Sequence, residues 1–353
     1  FVGLQQRLLS SVAAFAKTLN VHRESLRKVR DRVATQAANT EAAEAFVATP
    51  DEAVATLDTD DETGALEDLA KEEDAATEAA TELGAKEAET AALDRELTAV
   101  DEMLEVANRY GSRPDARVRR LCDWIREHMH ESGGWNRRRL ILFTEYEDTR
   151  RWLEARLKEE LDDFGDIDDR IDTFTGITSS DRREAIKHAF NADPGHHSLR
   201  ILICTDAARE GINLQAHCYD LFHIDLPWNP SRLEQRNGRI DRKLQPANEV
   251  YCRYFKYSQR ETDIVLDALV RKTDRIRRQL GSVGKVVEER ISNRLLEAGI
   301  ARGKAKELSE LIEEENAEDL HARAKAEMEP ADQDRLEKLQ KEHDHLRNIL
   351  ERS

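Results

Sequence analysis

Between residues 137 and 257 short apolar runs alternate with helical stretches, and this alternation leaves very few architectures open. "RRRLILFTEY" is a β-prone run behind a basic flank, and "TRRWLEARLKEEL" is helical. "IDTFTG" is a strand running into a glycine turn, and "SSDRREAIKHAFN" opens on a serine N-cap and continues as helix. "LRILICTDAA" reads as a buried strand; "CYDLFHIDLPWNP", an arginine-rich helix and a last strand in "EVYCRYFKYS" follow. Strands alternating with helices of this length predict a parallel α/β sheet. Ligands of such sheets sit beyond the carboxyl ends of the strands. The polar segments "TEY", "TG" and "TDAAREGIN" all fall there.

Helical sequence flanks this segment on both sides. Residues 1–134 read as an amphipathic helical region that carries an acidic insertion at about 41–100; 135–260 form the α/β domain, and 261–353 a helical extension. The leucines of "DRLEKLQKEHDHLRNILERS" are spaced loosely like a coiled-coil seam, read here as packing within the chain. The net charge of −17 is concentrated in the insertion, where 19 Asp and Glu face Lys71, Lys86 and Arg95. The rest of the chain is close to neutral, so its basic clusters remain free to meet phosphate. The insertion itself reads as a solvated helical or partly disordered segment. With 353 residues and Phe1 in first place, the chain is expected to be a piece of a longer polypeptide of two or three domains.

Cys122, Cys204, Cys218 and Cys252 show no CxxC pairing, which argues against a zinc site or disulfide framework and fits a reducing cytosol. "EHMH" (127–130) and His196-His197 lack carboxylates or thiols at ligand spacing, so no metal site is expected. No run of about 18 apolar residues is present. Cys204 lies in an apolar strand and reads as core.

"RLEQRNGRIDR" (232–242) sets four arginines, a glutamine and one glycine close together. On a continuous helix Gln235, Arg239 and Arg242 fall within roughly 60° of one another, with Arg236 to the side. Gly238 costs such a helix about 1 kcal/mol relative to Ala, which predicts a close approach to the backbone there. Arginine keeps its charge and offers a planar fork for phosphate oxygens, so the row fits triphosphate chemistry. The alternative is a solvated face of ion pairs with Glu234 and Asp241.

"TDAAREGINLQ" (205–215) followed by "DLPWNPSRLEQRNGRIDR" resembles motifs V and VI of superfamily 2 helicases, most closely the SNF2 family of ATP-dependent DNA translocases. "LILFTEYEDTRRWL" resembles motif IV, and "TFTGITSSDRREAIKHAFN" the family segment between them. "AREGINLQ" and "LPWNPSRLEQRNGRIDR" are closer to bacterial SNF2-like enzymes, including the RNA-polymerase-recycling ATPase and helicases of DISARM-type phage defence. The resemblance implies a RecA-like sheet flanked by helices, the second lobe of a two-lobed motor. It assigns Arg239 and Arg242 as arginine fingers on the γ-phosphate of ATP, supported by Gln235 and Arg236. It places Gly211 and Asn213 against the nucleotide or the lobe interface, and Thr144, Thr175, Gly176 and Thr205 on the DNA backbone. Trp228 is read as packing the turn between its two prolines.

A complete motor needs a GxxxxGK[ST] loop and a DE box holding Mg²⁺. "GSVGKVV" (281–287) lacks the first glycine and the Ser/Thr, and "DEAV" (51–54) has no apolar strand to terminate, so both read as coincidences. ATP and Mg²⁺ are therefore expected on an N-terminal RecA-like lobe of the same polypeptide, double-stranded DNA as partner, and a prokaryotic cytoplasmic setting without membrane. This lobe alone is expected to be inactive. The alternatives are a non-catalytic docking module for nucleic acid or another subunit, or an acidic arm that engages a basic protein or covers the DNA path.

Overall fold

A computed structural model describes residues 2–38, 71–72, 74–82, 90–131, 133–206, 213–242, 245–280, 295, 299–301 and 303–314. The chain divides into two compact units, residues 1–227 with 235–255, and residues 228–234 with 256–353.

In the first unit, α1 (Val2–Ser10) and α2 (Val12–Ala38) are followed by α3 (Thr90–Tyr110) and α4 (Ala116–Met129). A short antiparallel hairpin, β1 (His130–Glu131) and β2 (Gly134–Trp135), comes next. The helical region does not run unbroken to Gly133 and Gly134, and α4 ends at Met129. The helix stops there because His130 pairs with Trp135, and Gly133 takes the turn at φ +85°. At its other end α4 is capped by Asp115, whose carboxylate accepts the N–H groups of Arg117 and Val118.

The predicted sheet then forms. β3 (Leu140–Thr144), α5 (Glu147–Glu160), α6 (Ile167–Arg170), β4 (Ile171–Phe174), α7 (Ser180–Asn191), β5 (Ile201–Thr205), β6 (Asp220–His223), α8 (Pro230–Asn237) and β7 (Tyr251–Tyr254) follow in order. The five strands lie parallel in the order β4-β5-β3-β6-β7. This is the RecA-like α/β arrangement of a parallel sheet flanked by helices.

Every residue of β3 and β5 is buried, which explains their unbroken apolar sequences. Alternate side chains serve opposite faces. Leu140, Leu142, Ile201 and Ile203 join Leu121, Ile125, Leu153 and Leu157 from α4 and α5. Ile141, Phe143, Leu202 and Cys204 join Ile186 and Phe190 from α7. Each such side chain contributes about 1.5–3 kcal/mol by leaving water. A separate apolar cluster, including Leu19, Leu26, Leu93, Leu97 and Leu104, pairs α2 with α3.

In the second unit α9 (Glu261–Leu280) is joined with α10 (Ala305–Glu314), with Val265, Leu269, Ile276 and Ile312 buried. Asp263 near the start of α9 accepts the Tyr257 N–H at 2.7 Å, and Arg271 pairs with Glu313 at 3.2 Å. Residues 315–353, with the loosely heptad-spaced leucines, and the "DEAV" and "GSVGKVV" segments lie outside the described residues. Within the acidic insertion the same holds for 41–70, 73 and 83–89.

Ile203→Ala, in the middle of β5, is expected to cost about 2–5 kcal/mol in urea denaturation, because both sheet faces are packed and the cavity cannot collapse.

Candidate functional site

The register of the sheet sets Thr144 of β3 beside Thr205 of β5 at the carboxyl edge. Thr175 follows β4 directly, Asp206 follows β5, and Asp225 lies two residues beyond β6. The arginine stretch reaches this edge, but not as one helix. α8 stops at Asn237, and the chain tightens through Gly238–Ile240: Arg239 N–H donates to the Arg236 carbonyl at 3.1 Å, and Ile240 and Asp241 to that of Asn237 at 3.2 and 3.0 Å. Two contacts impose the turn. Ile240 is buried in the core under β3 and β5, and the Arg239 carbonyl accepts the Leu214 N–H at 3.2 Å. Gln235, Arg239 and Arg242 therefore do not share one helical face. Gly238 lies beyond the helix, where it costs the helix nothing; its carbonyl accepts Arg242 Nε at 2.6 Å.

Arg236 turns inward and is 2% exposed. Nε and Nη2 donate to the two carboxylate oxygens of Asp206 at 2.5 and 2.9 Å, Nη1 to the Asp225 carbonyl at 2.8 Å, and Nη2 to Asp225 Oδ1 at 3.2 Å. Burial opposes its charge, but the carboxylates of Asp206 and Asp225 outweigh burial and hold the guanidinium above the ordinary arginine value. Asp225 collects further donors: Thr144 Oγ1 at 2.6 Å, Glu145 N–H at 2.9 Å and Ser10 Oγ at 2.5 Å. His223 fixes the end of α8 by a 2.8 Å bond between Nε2 and Asn237 Oδ1. Burial, and then the charge of Arg236, push its imidazole down to about 3, so it is neutral. Nε2 is then the protonated nitrogen, since the amide oxygen of Asn237 only accepts.

Of the two arginines that follow, Arg239 is buried and Arg242 exposed. Arg239 is 8% exposed; burial and the neighbouring Arg242 lower its proton affinity, and it stays charged. Arg242 is exposed, and its guanidinium bonds the Asn213 side chain. Gln235 is exposed too. Asn213 is held in turn through its carbonyl, which accepts Asn191 Nδ2 at 2.7 Å. Gly211 lies outside the described residues.

All three threonines are buried, and they are held in different ways. Thr144 has no exposed surface and gives its hydroxyl to Asp225, so its side chain is part of the scaffold and not of a nucleic-acid surface. Thr175 and Thr178 close a small turn, with the Thr175 N–H on Thr178 Oγ1 at 3.0 Å. Arg183 clamps the carbonyls of Gly176 and Thr178 at 2.6 Å each. Gly176 is partly exposed, and Thr205 ends its strand next to Asp206. Sequence reasoning missed Asp206, Asp225, His223 and Ser10. The available signal was a pair of aspartates directly after two apolar strands, since a charge in that place requires a buried cation.

A parallel α/β lobe whose carboxyl edge presents an arginine turn belongs to the RecA-like class. Residues 119–243 match the helicase conserved C-terminal domain. Over 127 residues it is 35% identical to the uncharacterized ATP-dependent helicase YqhH of Bacillus subtilis, covering 35% of this chain and 20% of that one. Over 207 residues it is 28% identical to the RNA polymerase-associated protein RapA of Vibrio parahaemolyticus, covering 57% of this chain and 19% of that one. Among solved structures, the C-terminal part of the Fun30 ATPase domain aligns over 68% of both chains at 14% identity with a TM-score of 0.38. The chain spans about a fifth of the length of the two curated relatives.

Removing Arg236 leaves two buried carboxylates without their cation, so Arg236→Ala is expected to cost about 3–5 kcal/mol in denaturant titration, against within about 0.5 kcal/mol for the exposed Arg242→Ala. His223 gives a pH signature. Its folded value is depressed to about 3 from the ordinary 6.5, so the unfolded chain binds the extra proton and stability falls as pH drops below 6.5. By pH 5 the loss relative to neutral or higher pH is about 2 kcal/mol, and His223→Gln should remove that part of the acid limb.

Proposed function

We propose that the chain is the C-terminal motor lobe of an ATP-dependent SNF2-like DNA translocase. Arg239 and Arg242 are its arginine fingers. The observation that carries this reading is the division of labour within one turn: Arg236 is spent on buried carboxylates, while Arg242 stands exposed beside Arg239 on the rigid base so made. Two arginines side by side repel each other and gain from a polyanion between or against them. Donors held in place before the reaction stabilise charge that develops on a transferred phosphoryl group without reorganising.

ATP fits these residues as a polyanion received from outside the lobe. Among the described residues no three His, Cys, Asp or Glu side chains are grouped to hold a metal ion. The nucleotide and Mg²⁺ are assigned to an N-terminal RecA-like lobe of the same polypeptide. Asn213, bonded to Arg242, and Gln235 would line the same cleft, and Arg236 would act from within as a brace. Gly176, partly exposed after β4, is proposed to meet the sugar–phosphate backbone of double-stranded DNA, whose phosphates accept from N–H groups without reading sequence, with the buried Thr175 and Thr205 fixing the ends of β4 and β5. ATP would draw the lobes together and hydrolysis release them. The acidic insertion is assigned to a protein partner. Among the described residues no helix is long and apolar enough to cross a membrane.

The test is DNA-stimulated ATP hydrolysis by the complete polypeptide. Arg239→Ala and Arg242→Ala are each expected to lower kcat by about 10³-fold or more while ATP binding is retained. Unchanged hydrolysis in both variants would transfer the arginines to a docking role.

A further inference from the structure

α1 and α2 are separated by a single residue, Ser11, and the break is made by hydroxyl groups. Ser11 Oγ accepts the Ala14 N–H at 3.0 Å and so caps α2. Ser10 Oγ donates to Asp225 Oδ2 at 2.5 Å. A hydroxyl has one hydrogen, so the 2.7 Å contact between Ser10 and Thr149 is donated by Thr149, and the 2.7 Å contact between Thr149 and Ser11 by Ser11. The chain of donors therefore runs one way, from Ser11 through Thr149 and Ser10 to Asp225. Arg117 locks the backbone alongside, with Nη2 on the Ser10 carbonyl at 2.7 Å and Nη1 on the carbonyls of Leu9 and Ile224 at 3.0 and 2.8 Å. Ser10, Ser11 and Thr149 have no exposed surface.

Asp225 is the carboxylate on which Arg236 rests, and Arg236 holds the base of the turn that carries Arg239 and Arg242. We infer that the junction between α1 and α2 is a positioning element for the arginine turn, with Ser10 and Thr149 setting the orientation of Asp225 and, through it, of Arg236. Without Ser10, Oδ2 of Asp225 keeps Thr144 and the Glu145 N–H, but loses one of the three donors that oppose the pull of Arg236 on Oδ1. The carboxylate can then rotate, and Arg236 shifts with it. Hydrogen bonds in such a buried series reinforce one another, so the effect of removing Thr149 is carried to Asp225. The inference rests on the arginine-finger reading, because the quantity positioned is the pair Arg239 and Arg242.

The experiment compares Ser10→Ala, Thr149→Val, Thr149→Ser and Arg239→Ala in the complete polypeptide, measuring kcat and KM for ATP with saturating DNA, and the thermal midpoint. Ser10→Ala and Thr149→Val are expected to lower kcat by about tenfold with KM for ATP within about twofold of wild type; Thr149→Ser, which keeps the donor, restores kcat. Thr149→Val keeps the test open should Ser10→Ala fail to fold. If Arg239→Ala abolishes hydrolysis while Ser10→Ala and Thr149→Val keep wild-type kcat, the positioning role is wrong and the finger reading stands. A fall in kcat matched by a rise in KM, or a failure of Thr149→Ser to restore it, makes the junction structural only and overturns the inference. Unchanged hydrolysis in Arg239→Ala removes the finger reading itself, whatever Ser10 does.

Discussion

The carboxyl edge of the sheet depends on one buried cation. Arg236 joins the end of β5 through Asp206, the segment after β6 through Asp225, and the turn that follows α8 through its own backbone. Taking such a charge out of water costs several kcal/mol, and only a set of partners that satisfies the whole guanidinium recovers it. The partners here are two carboxylates and a carbonyl at between 2.5 and 3.2 Å. The cluster therefore has one geometry in which it is affordable, and that geometry dictates where Arg239 and Arg242 emerge.

The same residue type does different work at the other end of the sheet. Arg139 is fully buried and donates to the carbonyls of Phe190 and Ala189, closing the last turn of α7, and burial, with Arg200 nearby, lowers its pKa to about 10. Arg200 is satisfied by the carbonyls of Asn136, Pro194 and His197 at 2.6 to 2.8 Å. Neither arginine meets a carboxylate among these bonds. Carbonyl dipoles suffice to tie these loops together, while at the same end Asp220, fully buried at the start of β6, takes Arg138 and Arg253 at 2.6 Å each.

Much of the sheet was legible in the sequence because β3 and β5 are buried on both faces, so their residues form continuous apolar runs such as "LILFT" and "ILICT". The serine cap of α7 was legible for a local reason: Ser179 accepts the Arg182 N–H within the same turn. The end of α8 was not. Helical periodicity carries "RLEQRNGRIDR" straight through, whereas burial of Ile240 and the bond from Leu214 to Arg239 stop the helix at Asn237, and both are contacts distant in sequence. Thr144 was assigned to a surface for a related reason. The family resemblance placed Thr144 on the DNA backbone, whereas Ser10 and Asp225, 134 and 81 residues away, enclose it. The arginines were recognised as a group, but which of them turns inward depended on where the aspartates lie.

The most direct test of the account is a structure of the complete polypeptide with DNA, ADP, Mg²⁺ and a planar fluoride complex in place of the transferred phosphoryl group. The account predicts the guanidinium groups of Arg239 and Arg242 within about 3 Å of the fluoride or of the β-phosphate oxygens, with Arg236 still on Asp206 and Asp225. Arg239 and Arg242 turned away from the nucleotide in a closed complex, or Arg236 released from its carboxylates to reach the phosphate instead, would contradict it.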